Sequence, residues 1–258
     1  MTKRILVTGA SSGIGHACVR AAVDRGWSVL ATARRADRLE ALQAATGCEV
    51  FAADLTNQEH VEALAERARE FGITSLVNVA GGALGADSVE AGSLDEWQQM
   101  FDINVLATKR VVAATLPVLR DAVRDGGYAD IVTVTSIAAT VPYAGGAGYN
   151  AAKAAEHALS EVLRLELSGE PIRVMEIAPG MVHTEEFSLV RFHGDQEKAD
   201  AVYKDVQDPL SAEDVAEVVS TVLALPGHIS IDQLIVKPVA QTHPWMVHRG
   251  PLVPKPSA

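Results

Sequence analysis

The sequence predicts an α/β fold, a doubly wound, seven-stranded parallel sheet with helices on both faces. Seven short apolar runs rich in β-branched residues alternate with amphipathic helical stretches. The runs are almost continuously apolar, as is typical of strands buried on both faces of a parallel sheet. A length of 258 residues suits one α/β domain, and no repeat or linker interrupts the alternation. We therefore expect residues 1–258 to form a single domain.

The predicted strands are separated by helical stretches along most of the chain. They are residues 4–8, 28–33, 49–53, 75–80, 130–136, 172–178 and 233–238. Two segments fall outside this alternation, namely residues 183–210, where we expect a lid over a binding site, and the proline-rich tail at 238–258. Ser211 and Asp214 form a capping-box pattern, which predicts that a helix begins there and that the lid ends.

The charge balance restricts the possible partners. The chain has 22 Lys and Arg against 33 Asp and Glu, a net charge of −11. Because nucleic acids and anionic lipids bind clustered cations, we expect neither as a partner and favour a small molecule. The apolar runs are shorter than the roughly 20 residues that span a bilayer. With Cys18 and Cys48 as the only cysteines, the sequence indicates a reducing, cytoplasmic protein without membrane association.

Gly9, Gly13 and Gly15 lie between the first predicted strand and the first predicted helix. Glycines at this spacing let the backbone approach a pyrophosphate and direct helix N-terminal amides towards it. A glycine-rich turn without a ligand is the alternative. The strand before it, the helix after it and a second strand about twenty residues further on favour a Rossmann-type dinucleotide site.

The end of the second predicted strand, "ATARR", indicates which dinucleotide binds. Arg34 and Arg35 occupy the position that faces the adenosine ribose in such folds. A carboxylate there would accept bonds from a free 2′-hydroxyl, whereas guanidinium groups pair with a 2′-phosphate. We therefore predict NADP rather than NAD. In the alternative, both arginines form the solvated start of the next helix, with Asp37 and Glu40 as partners.

Tyr149 and Lys153 are four residues apart in a helical stretch and therefore share one helix face. A nearby ammonium stabilises phenolate, which lowers the phenol pKa from about 10 and suits it to acid-base catalysis. Ser136 ends a predicted strand at the sheet edge where ligands bind, so its hydroxyl can bond a substrate oxygen. Each of these residues also has a purely structural alternative. A tyrosine and a lysine at this spacing are more often a surface pair, Ser136 can simply form the turn at the end of a strand, and Asn104 can bend or cap a helix.

Six motifs in this order and spacing resemble the short-chain dehydrogenase/reductase family, over residues from Lys3 to about Val236. They are "TGASSGIG", "NVAG", Asn104 in "FDINVL", Ser136, "YNAAK" and "APGMVHT". The resemblance implies an enzyme that transfers a hydride between NADP and a small alcohol or carbonyl compound. It also implies the catalytic roles. Tyr149 would exchange the proton, Ser136 would orient the substrate oxygen, Lys153 would hold the nicotinamide ribose and lower the tyrosine pKa, and Asn104 would fix a relay water.

The same resemblance implies a complete cofactor site. The expected contacts are Gly9, Ser11, Ser12, Gly13, Ile14, Gly15, Arg34, Arg35, Asp54, Leu55, Asn78, Ala80, Gly81, Tyr149, Lys153, Pro179, Gly180, Val182 and Thr184. Val79 departs from the family pattern, which usually has a second asparagine in "NNAG". Because the first asparagine, the alanine and the glycine are kept, we expect the backbone of this loop to follow the same path as in the family.

Residues 142–153, 184–203 and 225–241, with "VHR" at 247–249, resemble the NADP-dependent 3-hydroxy acid dehydrogenases. This resemblance implies a 3-hydroxy acid substrate such as serine or 3-hydroxypropionate. It also implies a homotetramer in which the tail reaches a neighbouring subunit. A broad carbonyl reductase for neutral ketones and aldehydes is the alternative enzyme. A binding protein without turnover is disfavoured because all four catalytic positions are present.

The expected substrate contacts are Ser136, Ala138, Tyr143 and Arg191. Arg191 lies in the predicted lid, and a guanidinium binds carboxylates through two hydrogen bonds. In the alternative, Arg191 is a surface arginine paired with Glu185 or Asp195. The histidines of the same segment lack a third ligand at suitable spacing, so no metal site is predicted.

Overall fold

A computed structural model describes residues 3–254 of the chain. In this part, the strands are β1 Arg4–Thr8, β2 Ser28–Ala33, β3 Glu49–Ala52, β4 Ser75–Asn78, β5 Ala129–Val134, β6 Ile172–Pro179, β7 Val182–His183, β8 Leu210–Ser211, β9 Gln233–Val236, β10 Gln241–His243 and β11 Met246–Val247. Seven of them form one sheet in the order β3-β2-β1-β4-β5-β6-β9, and every pairing in it is parallel. The predicted fold class is therefore confirmed. The outermost predicted positions, 1–2 and 255–258, lie outside the described residues.

Helices cover both faces of the sheet. They are α1 Gly13–Asp24, α2 Ala36–Thr46, α3 Gln58–Phe71, α4 Leu94–Phe101, α5 Ala107–Ala122, α6 Ala147–Glu166, α7 Phe187–Arg191, α8 Gln196–Tyr203 and α9 Ala212–Ala224. One buried core lies where α1, α2 and α9 meet the sheet, and it includes Val19, Leu39 and Val215. The other lies against α3 and α5 and includes Leu64 and Leu119. No helix of the described part is long and apolar enough to cross a membrane.

The predicted strand bounds are correct at the first two strands and too long at several later C-terminal ends. The fourth strand ends at Asn78, the fifth at Val134 and the last at Val236, each two residues before the predicted end. Val79, Ala80 and Thr135, among the extra residues, are apolar or β-branched and therefore look like strand in the sequence. In the fold, residues beyond Asn78 and Val134 turn away to line a cavity.

A buried carboxylate fastens four neighbouring segments near the amino ends of the strands. Asp130 is fully buried and binds Lys3 Nζ at 2.5 Å, Arg173 Nε at 2.6 Å and Ser75 Oγ at 2.7 Å. These partners belong to β4, β6 and the segment before β1. The buried carboxylate of Asp130 thus has two cationic partners and one hydroxyl donor, which compensate for the loss of its contact with water.

We expect Asp130→Asn to destabilise the protein by about 3 kcal/mol, because it leaves two cations beside a neutral, buried amide. Urea unfolding measures this difference. The control is Asp125→Asn, a charge change of the same size at an exposed position. An equal and small effect of both substitutions would contradict the role of Asp130 in fastening the strands.

Candidate active site

A cavity of about 830 Å³ opens at the edge of the sheet where β1 to β6 end. Ligands of doubly wound sheets bind at this edge, and the volume is within the usual range of ligand pockets. The predicted residues that line it are Gly9, Ser11, Ser12, Gly13, Ile14, Gly15, Arg34, Arg35, Asp54, Leu55, Ala80, Gly81, Ser136, Ala138, Tyr143, Tyr149, Pro179, Gly180, Val182, Thr184 and Arg191. Three other predicted residues, Asn78, Asn104 and Lys153, are buried behind this wall.

The glycine-rich turn brings backbone segments closer together than side chains would allow. A Cβ atom on Gly15 would lie 2.3 Å from the Gly9 carbonyl oxygen, and one on Gly9 would lie 2.9 Å from the Ala80 nitrogen. Gly9 also has a φ of 68°, in the left-handed region that favours glycine. The Ser12 side chain does not cap α1, so the first amides of the helix can bind an anion. The turn therefore has the space and the donors that a pyrophosphate needs.

Arg34 and Arg35 are adjacent but have different surroundings. Arg34 is exposed at the rim of the cavity and makes no salt bridge with any residue in the described part of the chain. Arg35 binds both carboxylate oxygens of Glu186, with its Nη1 and Nη2 at 2.7 and 2.8 Å. Arg35 also donates hydrogen bonds to the hydroxyls of Ser11 and Ser12 in the glycine-rich turn. The guanidinium thus links the second strand, the glycine-rich turn and the predicted lid.

Pairing of the arginines with Asp37 and Glu40, the alternative drawn from the sequence, does not occur in the structure. Glu186 takes that role for Arg35. The hydrogen bonds from Arg35 lower the pKa of Glu186 to about 2, so this carboxylate remains ionised at physiological pH.

The loop after β4 is held by a threonine. Thr8 Oγ1 accepts hydrogen bonds from the amides of Val79 and Ala80 at 3.0 and 3.1 Å. Asn78 is buried, and its Nδ2 has no hydrogen-bond partner among residues 3–254. Backbone bonds to Thr8 thus fix the course of this loop, and the side chain at position 79 takes no part in them.

Tyr149 lies in the first turn of α6, where its ring is 8% exposed and meets the edge of the Phe187 ring. Burial raises the pKa of the phenol above its ordinary value, and the Lys153 ammonium offsets part of this rise. The sign of the lysine effect agrees with the expectation from the sequence. The lysine lowers the pKa of the phenol by less than burial raises it, so the phenol is protonated at neutral pH.

Lys153 is buried one turn further along α6, with a carboxylate as its partner. Its Nζ donates to Glu156 Oε2 at 2.6 Å and to the Val134 carbonyl at 3.3 Å. Glu156 is 1% exposed, and its other oxygen accepts a hydrogen bond from Thr108. Burial lowers the pKa of Lys153, but the charges of Glu156 and Tyr149 and the hydrogen bond to Glu156 together outweigh it, so the pKa lies above its usual value. The ammonium therefore keeps its proton in the protein interior.

Asn104 lies in a π-helical turn, Asp102–Leu106, which joins α4 to α5. Its Oδ1 accepts from the Gly82 amide at 3.1 Å, and its Nδ2 donates to the carbonyls of Gly82 and Met100. A Cβ atom on Gly81 would lie 2.6 Å from the same Oδ1 and 3.5 Å from Lys153 Nζ. The Asn104 side chain thus binds the loop after β4 close to the lysine. The π-helical turn that carries it is of a kind frequent at functional sites.

Ser136 is a capping residue and also lies on the cavity wall. Its hydroxyl accepts a hydrogen bond from the Ala138 amide at 3.1 Å and caps a short helix at Ile137–Ala139, and it also lines the cavity. Asn150, next to Tyr149, donates to the Ala138 carbonyl at 2.8 Å. This bond ties the loop that carries Ser136 to the helix that carries the tyrosine.

Arg191 lines the cavity, and within residues 3–254 its side chain donates hydrogen bonds only to neutral groups. It donates to the Gly85 and Gly145 carbonyls at 3.1 and 2.9 Å and to the Tyr143 hydroxyl at 2.8 Å. It pairs with neither acidic residue considered from the sequence. Its positive charge is therefore not neutralised by a carboxylate of the described chain, although the side chain is half-buried.

The predicted lid is anchored at both ends. β7 and β8 pair at its base, and the capping box of Ser211 and Asp214 starts α9 as predicted. Tyr203 OH donates to the Val182 carbonyl and contacts Ser188 Oγ, which ties α8 to the start of the segment. The middle of the segment contributes residues of both α7 and α8 to the cavity wall, among them Phe187, Arg191 and Tyr203.

One cluster of possible metal ligands lies outside the cavity. His157, Glu161 and Glu176 place ligand atoms within 4.8 Å of one another. These groups have partners of their own, since His157 Nδ1 is 2.6 Å from Glu176 and Glu161 binds Arg164. These contacts account for the close approach of the three side chains.

Four residues that hold the predicted site residues in place were not predicted from the sequence. Glu156 stands three residues after Lys153 on the buried face of α6, and this spacing is a local signal of an ion-pair partner. Thr108 and Asn150 give no such signal, because hydroxyl and amide side chains are common in helices. Glu186 is 151 residues from Arg35, so spacing cannot indicate their contact.

A helix N-terminus open to a pyrophosphate, beside a buried tyrosine and lysine at the same sheet edge, defines a dinucleotide-dependent oxidoreductase. A model of the short chain dehydrogenase family matches residues 3–193. The chain belongs to the short-chain dehydrogenase family, so the recognition made from the six motifs is confirmed.

Relatives support this membership over nearly the whole chain. An uncharacterized oxidoreductase of Mycobacterium tuberculosis is 50% identical over 250 residues, covering 94% of this chain and 96% of its own. Serine 3-dehydrogenase of Agrobacterium fabrum is 41% identical over 249 residues, covering 94% and 96%. The closed form of a serine dehydrogenase complexed with NADP+ superposes with a TM-score of 0.88 at 37% identity, covering 95% of this chain and 99% of that one.

We expect Glu156→Leu to destabilise the protein by about 3 to 5 kcal/mol, because it leaves the Lys153 ammonium buried without a counter-charge. Urea unfolding measures the loss. The double variant Lys153→Met, Glu156→Leu should recover most of it, since two apolar groups replace the pair. Glu166→Leu, on an exposed position of the same helix, is the control. Equal stability of Glu156→Leu and the control would contradict the pairing.

Proposed function

We propose that this protein is an NADP-dependent dehydrogenase or reductase for a small 3-hydroxy acid or the corresponding carbonyl compound. One observation carries the proposal: Tyr149 and Ser136 line the same cavity as the glycine-rich turn, with the Lys153 ammonium buried directly behind. A proton donor is thus placed beside a dinucleotide site. NADP, when bound, supplies or accepts the hydride.

The chain's own groups are suited to hold NADP. The first amides of α1 can bind the pyrophosphate, and Arg34 and Arg35 can bind the 2′-phosphate. The close approach of Gly9, Gly15 and the loop after β4 leaves space that a side chain would fill. We assign Asp54 and Leu55 to the adenine end, and Pro179 to Thr184 to the nicotinamide end, where they line the cavity.

Tyr149 moves the proton in this proposal. As a protonated phenol at neutral pH, it is ready to donate to a carbonyl oxygen in reduction. In oxidation it must act as phenolate, so the oxidation rate should rise with pH. Ser136 holds the substrate oxygen. Lys153 holds the nicotinamide ribose and favours the phenolate, and Asn104 holds the water of the proton relay.

A substrate anion is favoured by the charge of Arg191. The guanidinium lies on the cavity wall with only neutral partners, so a carboxylate would gain a charge-assisted pair there. Serine, the substrate named for one relative, carries such a carboxylate. The apolar wall at Ala138 and Tyr143 would also accept neutral ketones, which keeps a broad carbonyl reductase as the second candidate.

We expect Tyr149→Phe to reduce turnover at least about a thousandfold, because the phenol is the proton donor. Affinity for NADP should change less than about threefold, since the hydroxyl serves the substrate oxygen. Nicotinamide absorbance gives the rate, and calorimetric titration gives the affinity. Tyr128→Phe, at an exposed position outside the cavity, is the matched control. Retained turnover in the first variant would refute the role of Tyr149.

The substrate class is tested with L-serine, 3-hydroxypropionate, 3-hydroxybutyrate and a neutral secondary alcohol, each with NADP and with NAD. We expect turnover of the acids with NADP. Arg191→Met should raise KM for the acids at least about tenfold and leave kcat/KM for the neutral alcohol within about threefold. Turnover of the neutral alcohol alone, or equal losses with both substrate types, would favour the carbonyl reductase.

We further propose a cytoplasmic homotetramer in which the tail contributes to a subunit interface. The part of the tail that the structure describes packs on its own lid, where the Gly250 amide donates to the Asp205 carbonyl at 2.6 Å. It still leaves Trp245, Met246 and Val253 more than half exposed, at 60%, 55% and 74%. Apolar side chains that are exposed together in this way are typical of an interaction surface.

A further inference from the structure

Glu186 connects the lid to the arginine that we assign to the 2′-phosphate. It stands immediately before α7, and both of its carboxylate oxygens bind Arg35. The contact has the paired geometry that arginine also forms with phosphate. Glu186 thus occupies Arg35 in the same manner as the phosphate group would.

Arg35 has too few free donors to bind both anions in this geometry. A guanidinium has five N–H groups. In the structure, Nε donates to Ser11, Nη1 donates to Glu186, and Nη2 is shared by Ser11, Ser12 and Glu186. A phosphate that takes two donors of Arg35 must therefore displace either the carboxylate or the serine hydroxyls. Because two negative charges on one guanidinium repel each other, we expect the carboxylate to be the group that leaves.

We propose that Glu186 competes with the 2′-phosphate of NADP for Arg35, which makes this lid residue a determinant of cofactor affinity and selectivity. The inference rests on the proposed function, because it takes the end of β2 to be the 2′-phosphate site. Glu186 opposes the binding of NADP and leaves NAD, which lacks the phosphate, unaffected.

A second arginine is positioned to receive the displaced carboxylate. Arg38 Nη2 lies 3.8 Å from Glu186 Oε1, at the edge of salt-bridge distance. Arg38 is exposed and one turn further along α2, so its side chain can follow the carboxylate. Transfer of Glu186 to Arg38 would keep its charge paired while Arg35 binds the phosphate.

Glu186 is also the sequence neighbour of a residue that contacts Tyr149. Phe187 follows Glu186 directly, and its ring centroid lies 5.9 Å from that of Tyr149. The residue that competes for Arg35 therefore lies in the same short segment as the ring that packs against the tyrosine.

The test measures the Kd of NADP and of NAD by calorimetric titration for the unchanged protein, Glu186→Gln and the control Glu185→Gln. Glutamine keeps the shape of Glu186 and removes its charge. Glu185 is the exposed neighbour, whose removal makes the same change in net charge without touching Arg35. We expect Glu186→Gln to bind NADP about tenfold more tightly, with NAD affinity within about twofold. Glu185→Gln should leave both affinities within about twofold.

Each other result has a definite meaning. Unchanged or weakened binding of NADP by Glu186→Gln would overturn the proposed competition. So would an equal gain in affinity for NADP and NAD in this variant, or an equal gain in NADP affinity in Glu185→Gln. Thermal unfolding of each variant, with Glu186→Ala as a second substitution, separates these results from misfolding. If the unchanged protein does not prefer NADP to NAD, the proposed cofactor fails. If it does prefer NADP and Glu186→Gln has no effect, only the role of Glu186 fails.

Discussion

The site depends on one positive charge that is kept inside the protein. Lys153 is buried, and an amine in such surroundings would lose its proton unless a carboxylate compensated it. Glu156 provides that carboxylate from the same helix, and Thr108 fixes its second oxygen. The ammonium can then act on the Tyr149 phenol one turn away. Because burial raises the pKa of the phenol more than the ammonium lowers it, the tyrosine remains an acid at neutral pH.

The parallel sheet brings together groups that are far apart in the chain. Each strand from β1 to β6 ends at the same edge, so the loops that follow supply much of the cavity wall. At the opposite end of the strands, Asp130 binds partners from three other segments. One end of the sheet is therefore fastened by buried charge. The other end carries short backbone contacts, such as Gly9 against Gly15, that leave room for a ligand.

The sequence predicted the parts of the structure that follow from local spacing. The first two strands, the helix start at Ser211 and the shared face of Tyr149 and Lys153 all depend on residues close together in the chain. The ends of the later strands were predicted less well, because apolar residues that line a cavity resemble strand. Partners far apart in the chain were not predictable. Nothing near Arg35 indicates that Glu186 lies against it.

A chain with a net charge of −11 must bind an anionic cofactor, so the placement of its cations matters more than their number. Lys153 is matched by a buried carboxylate, which makes its charge permanent and available to the tyrosine. Arg35 is matched by a carboxylate on a separate segment, 29% exposed, which another anion can replace. Arg191 has neutral partners, so its charge is open to an anionic substrate. The three cations thus differ in how far their charge is already paired, because their partners differ in charge and burial.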